Sequence, residues 1–211
     1  MSGERRKTTS ESTLPRWAPL VLLVSAQIVY LGNLAGPFIY DDIPYIVENE
    51  DLRLLWPPVW MQATAGNHAP INGRPLLALS LALNYATGGL QTTGYHLVNI
   101  GRHLLASLAL YGALAQLFAR IEGLALRARE LALASALLWS VHSLNSEVVN
   151  YISQRSAALM GACFFATLYA AQRHFSTGAR IWVAVAVVEL REVLRRVPEH
   201  AQAREKLAEL E

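Results

Sequence analysis

The chain has 211 residues, 53% hydrophobic and only 16% charged, with mean hydropathy +0.26 and a formal net charge of +2. Soluble domains carry about 25% charged residues, so this balance excludes both an ordinary water-soluble enzyme and a disordered chain. The length allows one domain, or one and a fragment. The single cysteine, Cys163 in an apolar run, excludes a disulfide framework and a cysteine-based zinc site.

A spanning helix needs about 20 apolar residues. Trp17 to Tyr40 is a 24-residue stretch without Asp, Glu, Lys or Arg, preceded by Arg5, Arg6, Lys7 and Arg16. A signal peptide is the rival reading, but the run exceeds a signal core and lacks an A-x-A site, which favours an uncleaved helix. Pro75 to Tyr85 is apolar over only 11 residues and suits a helix on or dipping into the membrane surface. Further spans are predicted at Tyr95 to Phe118, Leu131 to Val149 and Ser156 to Gln172. A fifth apolar run, Ile181 to Val188, ends after 8 residues. At about 1.5 Å per residue it covers about 12 Å of a core roughly 30 Å thick and cannot cross alone.

Cationic residues orient these spans. The basic N-terminal tail, the Arg120, Arg127 and Arg129 segment, and Arg173 with Arg180 fall on one side if four spans cross, so that side is cytoplasmic. The positive balance is therefore a topology signal, with no nucleic-acid footprint. Residues 37–94 and a short turn near His142 to Arg155 face outward, and the long loop carries Asp41, Asp42, Glu48, Glu50 and Asp51. The chain divides into a cytoplasmic tail at 1–16, a transmembrane module at 17–188 and a charged segment at 189–211.

In that last segment 11 of 23 residues are charged. Leu190, Val193, Leu194 and Val197 follow helical spacing up to Pro198, and Ala203, Leu207 and Leu210 open a second face. The pattern resembles the end of one tetratricopeptide repeat and the start of another, too short to bury a repeat core.

Residue types with chemistry to offer lie in four places. Asp41 and Asp42 follow the first span; an Asp pair there also suits a turn or cap. Neighbouring carboxylates point different ways, so one can act on an acceptor while the other positions it or binds a metal. Arg74, Arg102 and Arg155 suit either a phosphate or snorkelling to headgroups. His96, His103 and His142 suit packing as well as a site, and Glu147 suits a cap of the turn between spans three and four.

The series FIYDDIPYIVEN, GRPLLALSLALNYATGG, GYHLVNIGRH and LLWSVHSLNSEVVNYISQRSAALM is similar, over residues 15 to 185, to the membrane half of the tetratricopeptide-repeat O-mannosyltransferases. The repeat-like tail adds to the resemblance. It implies an all-α, polytopic transmembrane protein of the GT-C type, with about four full spans and one partial, and a short repeat-like tail. It also implies transfer of a sugar, mannose, from a polyprenyl-phosphate donor to Ser or Thr of an acceptor protein on the non-cytoplasmic side of the bilayer. By the same resemblance Asp41 and Asp42 match the acidic pair of the first outer loop, Arg74 the Arg-Pro element, and His142, Glu147 and Arg155 the second outer turn. Ser143 departs from it, because the family has proline after that histidine.

The chemistry agrees with these types. A hydroxyl acceptor needs a carboxylate within about 3 Å, here Asp41 or Asp42. The departing lipid phosphate wants an arginine (Arg74, Arg102 or Arg155) or a divalent metal, for which Asp41 and Asp42 are the candidate ligands. The class-level rivals are a non-catalytic membrane anchor with a protein-interaction tail and a transporter; the latter wants charged or broken helices at mid-membrane, hinted at only by Arg102 and His103.

The junction near 188 is physically awkward. Glu189 and Arg191 follow the 8-residue run at a depth where each charge costs roughly 2.5 to 3.5 kcal/mol. The expectation is that residues 181–188 do not span, that 189–211 lie at the cytoplasmic surface, and that an internal loss leaves a module with little transferase activity alone.

Overall fold

A computed structural model describes residues 17–58 and 74–178, with Ile181 and Val187 beyond them. The N-terminal basic tail, the Ile181 to Val188 run as a unit and the repeat-like segment lie outside the described residues. The fold is all-helical: among the described residues there is no strand. The helices are α1 (Ala18–Tyr30), α2 (Pro75–Gly88), α3 (Thr92–Phe118), α4 (Ala128–Ser140), α5 (Asn145–Asn150) and α6 (Arg155–Thr177).

α1 starts with Pro19 in its first turn and tightens into a 3-10 turn at Leu31–Asn33. Helical structure ends at Asn33, just before the loop predicted from residue 37; Gly36-Pro37 follows, where proline restricts the residue ahead of it and donates no backbone bond. α2 is longer than its 11-residue expectation, at 14 residues, and starts with Pro75 where a missing N–H costs nothing. One of its faces packs on the protein, with Leu77, Ala78, Leu81 and Ala82 buried.

α3 is the central element, 27 residues and about 40 Å long, packed most extensively on α4 and α6 and also on α1. It is the one described helix both long and apolar enough to cross a membrane. The predicted third span is not continuous. The chain leaves helix at Val141, turns through His142 to Leu144 and restarts as the short α5. The break falls at His142 and Ser143, where the sequence predicts the turn near His142 to Arg155, but apolar Val141 and Leu144 flank it and let the apolar run continue to Val149. α6 is long, 23 residues, and its C-terminal turns carry Gln172, Arg173 and His174.

Close approach comes from small side chains. α4 buries Ala128, Ala132, Ala136 and Ser140, one residue every four, which is one helix face. A Cβ on Gly112 would meet the Tyr169 ring at 2.8 Å, so α3 and α6 approach as they do because this position has no side chain. Large apolar side chains face outward instead: Ile28 is 77% exposed, Leu138 70% and Leu105 64%.

The apolar core sits toward the end where α1 finishes and α3 and α6 begin. One cluster joins Ile46, Leu52, Leu77, Leu81, Tyr95 and Ile152, with Phe38 and Tyr45 packed on it. A second joins Ala26, Tyr30, Ile100 and Val149. The segment after α1 is thus folded onto the bundle through a π-helical turn at Ile43–Val47 and a 3-10 turn at Glu50–Arg53.

Candidate functional site

The two aspartates of the first loop have opposite surroundings. Asp42 is fully buried, and both its oxygens accept backbone bonds: Oδ2 from Ile39 N–H at 3.2 Å and Oδ1 from Ser153 N–H at 2.7 Å. Ser153 belongs to the 3-10 turn Ile152–Gln154 that leads into α6, so Asp42 ties the loop to the start of that helix. Asp41 is exposed, and its own N–H donates to the Tyr151 hydroxyl at 3.0 Å. Tyr40, just before it, has φ of 43°, a left-handed conformation uncommon for a residue with a side chain. The turn around Tyr40 aims Asp42 inward and leaves Asp41 at the surface.

Beside this turn lies a cleft of about 430 Å³ between the segment after α1 and α5. Asn33, Tyr40, Ser146, Glu147, Asn150 and Tyr151 line it. Glu147 is exposed there, on the first turn of α5. The cleft therefore brings Glu147 to the same edge of the molecule as the Asp41 turn, with Tyr151 touching both. Asn33, Asn150 and Tyr151 carried no assigned role in the sequence; their only signal was proximity to the two loops in question.

Arg155 is fully buried at the start of α6. Its Nε donates to Asn99 Oδ1 at 2.8 Å, Nη2 to the Tyr95 carbonyl at 3.0 Å, and Nη1 to the Ser80 carbonyl at 3.1 Å and hydroxyl at 3.3 Å. Its guanidinium lies 5.6 Å from the Tyr95 ring centre. Asn99 in turn donates from Nδ2 to the Val149 carbonyl at 3.3 Å. One arginine thus pins α2, α3 and α6, and its donors are committed to protein acceptors. Asp42 and Arg102 are near enough to attract and repel it electrostatically.

The other predicted residues scatter around this centre. Arg74 is half-buried at the N-cap of α2, and Arg102 is half-buried on α3. His142 is exposed in the break between α4 and α5, where its Nδ1 accepts from Leu144 N–H at 3.2 Å. Ser143 closes the same turn, its carbonyl accepting from the Ser146 hydroxyl at 2.6 Å. His96 bonds the Gly36 carbonyl through Nε2 at 3.2 Å, and His103 bonds the Ser140 carbonyl at 2.8 Å while stacking on Trp139. Tyr30 donates to that same Ser140 carbonyl, so α1, α3 and α4 meet at one acceptor.

A divalent metal finds no fit among the described residues. Among the described residues no three His, Cys, Asp or Glu side chains converge, and both Asp42 oxygens already take N–H donors.

Burial raises the Asp42 carboxyl above the ordinary carboxylate range, and the bonds from Ile39 and Ser153 lower it only in part. The unfolded chain then loses this proton first as pH rises. Asp42 therefore favours the fold at low pH, and that contribution is lost as pH climbs from the ordinary range through the raised value. Thermal melts in detergent should show stability falling across that window, with a flatter response in Asp42→Asn. An identical slope in both would place the titration in another group.

No protein-family model matches the chain, and no solved structure matches it. Curated relatives do. Protein O-mannosyl-transferase TMTC4 of Homo sapiens is 32% identical over 165 residues, 72% of this chain and 22% of the relative. Protein O-mannosyl-transferase Tmtc1 of Drosophila melanogaster is 31% identical over 156 residues, 71% of this chain and 17% of the relative. Protein O-mannosyl-transferase TMTC2 of Mus musculus is 30% identical over 177 residues, 78% and 20% respectively. The chain spans about a fifth of the length of these relatives. Over some seven-tenths of its length, this chain belongs with the protein O-mannosyl-transferases.

Proposed function

We propose that the chain is a GT-C-like, multi-pass membrane module that transfers mannose from a polyprenyl-phosphate donor to Ser or Thr hydroxyls of an acceptor protein. The observation that carries this reading is the cleft beside the exposed Asp41, with Glu147 on its far wall. The relatives' names supply the reaction. Asp41 takes the proton from the acceptor hydroxyl as its oxygen attacks the anomeric carbon. The bond from that carbon to the phosphate oxygen breaks, the lipid phosphate departs with the electron pair, and the configuration inverts. Asp42 holds the loop in place. Arg74 and Arg102 are the cations offered to the leaving phosphate; Arg155, with its donors committed inside the bundle, organises the helices that carry them.

The placement of charge supports the orientation. Arg120 donates to the Gln172 carbonyl at 2.8 Å, so the C-terminal ends of α3 and α6 meet at the end opposite the acidic loop. Arg129 and Arg173 face a common cleft at that end. Cations there and acids at the other end favour a cytoplasmic N-terminus and an outward-facing residue 37–94 loop. Protease added to sealed inverted vesicles should leave this loop intact; cleavage there would reverse the orientation.

Membranes containing the chain, incubated with polyprenyl-phosphate mannose and a Ser/Thr-rich peptide, test the activity. Transfer above background supports the enzyme. Donor lipid held without transfer supports a module that requires further spans. A chain that neither holds the donor nor transfers it is a membrane anchor.

A further inference from the structure

A second cleft, about 420 Å³, lies at the end of the bundle that the transfer chemistry does not use. The last turns of α3, the start of α4 and the last turns of α6 enclose it. Arg129 and Arg173 approach it from α4 and α6, and no carboxylate stands among its described lining residues. Gln116 and Tyr169 also line it. The Gln116 amide donates from Nε2 to the Gly112 carbonyl at 3.3 Å, which fixes the side chain's direction. Its Oε1 is buried with no hydrogen-bond partner. The absent side chain at Gly112 seats Tyr169 against α3. Leu168, next to Tyr169 on α6, is an exposed apolar group.

The ligand that suits this set carries an anion for two guanidinium groups, a donor for the Gln116 oxygen, and an apolar part for the outward face of α6. Basic pockets between membrane helices on the cytoplasmic side bind anionic headgroups for the same electrostatic reason. We propose that this cleft binds the phosphodiester headgroup of an anionic membrane lipid, its phosphate at Arg129 and Arg173 and a headgroup hydroxyl donating to Gln116. The site rests on the membrane reading and is independent of any transferase activity.

The test uses the whole chain in nanodiscs of phosphatidylcholine doped with phosphatidylglycerol, or with phosphatidylmethanol, which has the same charge but no headgroup hydroxyl. Lipids retained on release are counted by native mass spectrometry. Wild type should retain phosphatidylglycerol over phosphatidylcholine by about tenfold or more, as two cations near an anionic headgroup predict. The Arg129→Gln, Arg173→Gln pair should fall to parity, while the Arg129→Lys, Arg173→Lys pair keeps most of the preference and shows that the fold survives. Gln116→Leu should keep the charge preference yet no longer separate phosphatidylglycerol from phosphatidylmethanol. Equal retention of neutral and anionic lipid by wild type would overturn the proposal. Displacement of the lipid by soluble glycerol 3-phosphate would overturn it too, by assigning the cleft to a free phosphate. A chain found in the aqueous fraction instead of the nanodisc would signal failure of the membrane reading itself.

Discussion

Arg155→Leu is expected to destabilise the protein by about 2–4 kcal/mol, measured by thermal unfolding in detergent. Two effects oppose each other. Burying a cation costs several kcal/mol, and among the described residues no carboxylate forms an ion pair with Arg155. Against this, its four hydrogen bonds reach two other helices, and bonds to a charged group contribute about 1.5–3 kcal/mol each. The Tyr95 ring and the Asp42 carboxylate add to the favourable side. The leucine variant also leaves Asn99 Oδ1 without the partner it has now and opens space where a large side chain was fully buried.

Arg155→Lys separates the causes. Lysine keeps the cost of a buried charge but cannot reproduce the planar fork that reaches Asn99, Ser80 and Tyr95 together. It should be at least as damaging as leucine, with hydrogen exchange quickening at the starts of α3 and α6. A lysine variant as stable as wild type would show that charge alone matters and that the fork does not organise these helices.

The two aspartates should part company. Asp41→Asn is expected to lower sugar transfer by about 10²–10⁴-fold, the usual contribution of a positioned base. Its stability should stay within about 0.5 kcal/mol of wild type, because Asp41 is exposed and its bonds, N–H to the Tyr151 hydroxyl and carbonyl from Tyr45 N–H, use only the backbone. Asp42→Asn should do the reverse. An amide has one acceptor oxygen, so it can satisfy Ile39 N–H or Ser153 N–H but not both, and its NH₂ faces the other donor. Loosening of the loop is expected at about 1–3 kcal/mol. Any fall in transfer by Asp42→Asn should shrink on cooling as the loop reorders, whereas the loss in Asp41→Asn should not. Transfer that survives removal of both carboxylates would end the carboxylate-base mechanism.

Helical character and the apolar balance were legible from residue types, since they depend on counts and on period. Thr92–Phe118 differed from its prediction by three residues at one end, because a long uniform apolar run overrides local detail. The ends of other runs were not legible. Apolar character resumes at Phe38-Ile39 after Gly36-Pro37 and at Leu144 after His142-Ser143, so residue types alone do not place the helix ends, while the backbone leaves helix before each. The sequence also marked the acidic loop, the Arg-Pro element and the second outer turn as belonging together, through the order of their motifs.

The sequence alone determined the all-helical class, the apolar balance and the family to which this chain belongs. Only the tertiary structure decided which of two adjacent aspartates faces solvent, because that choice depends on a left-handed Tyr40 and a backbone N–H from Ser153, 111 residues away. It likewise gave Arg155 its place inside the bundle. An arginine beside an apolar run reads equally as a headgroup contact or a phosphate ligand, until Asn99, Ser80 and Tyr95 from two other helices converge on its donors. Composition and period are properties of a segment by itself; satisfaction of a buried polar group is a property of the segments it meets.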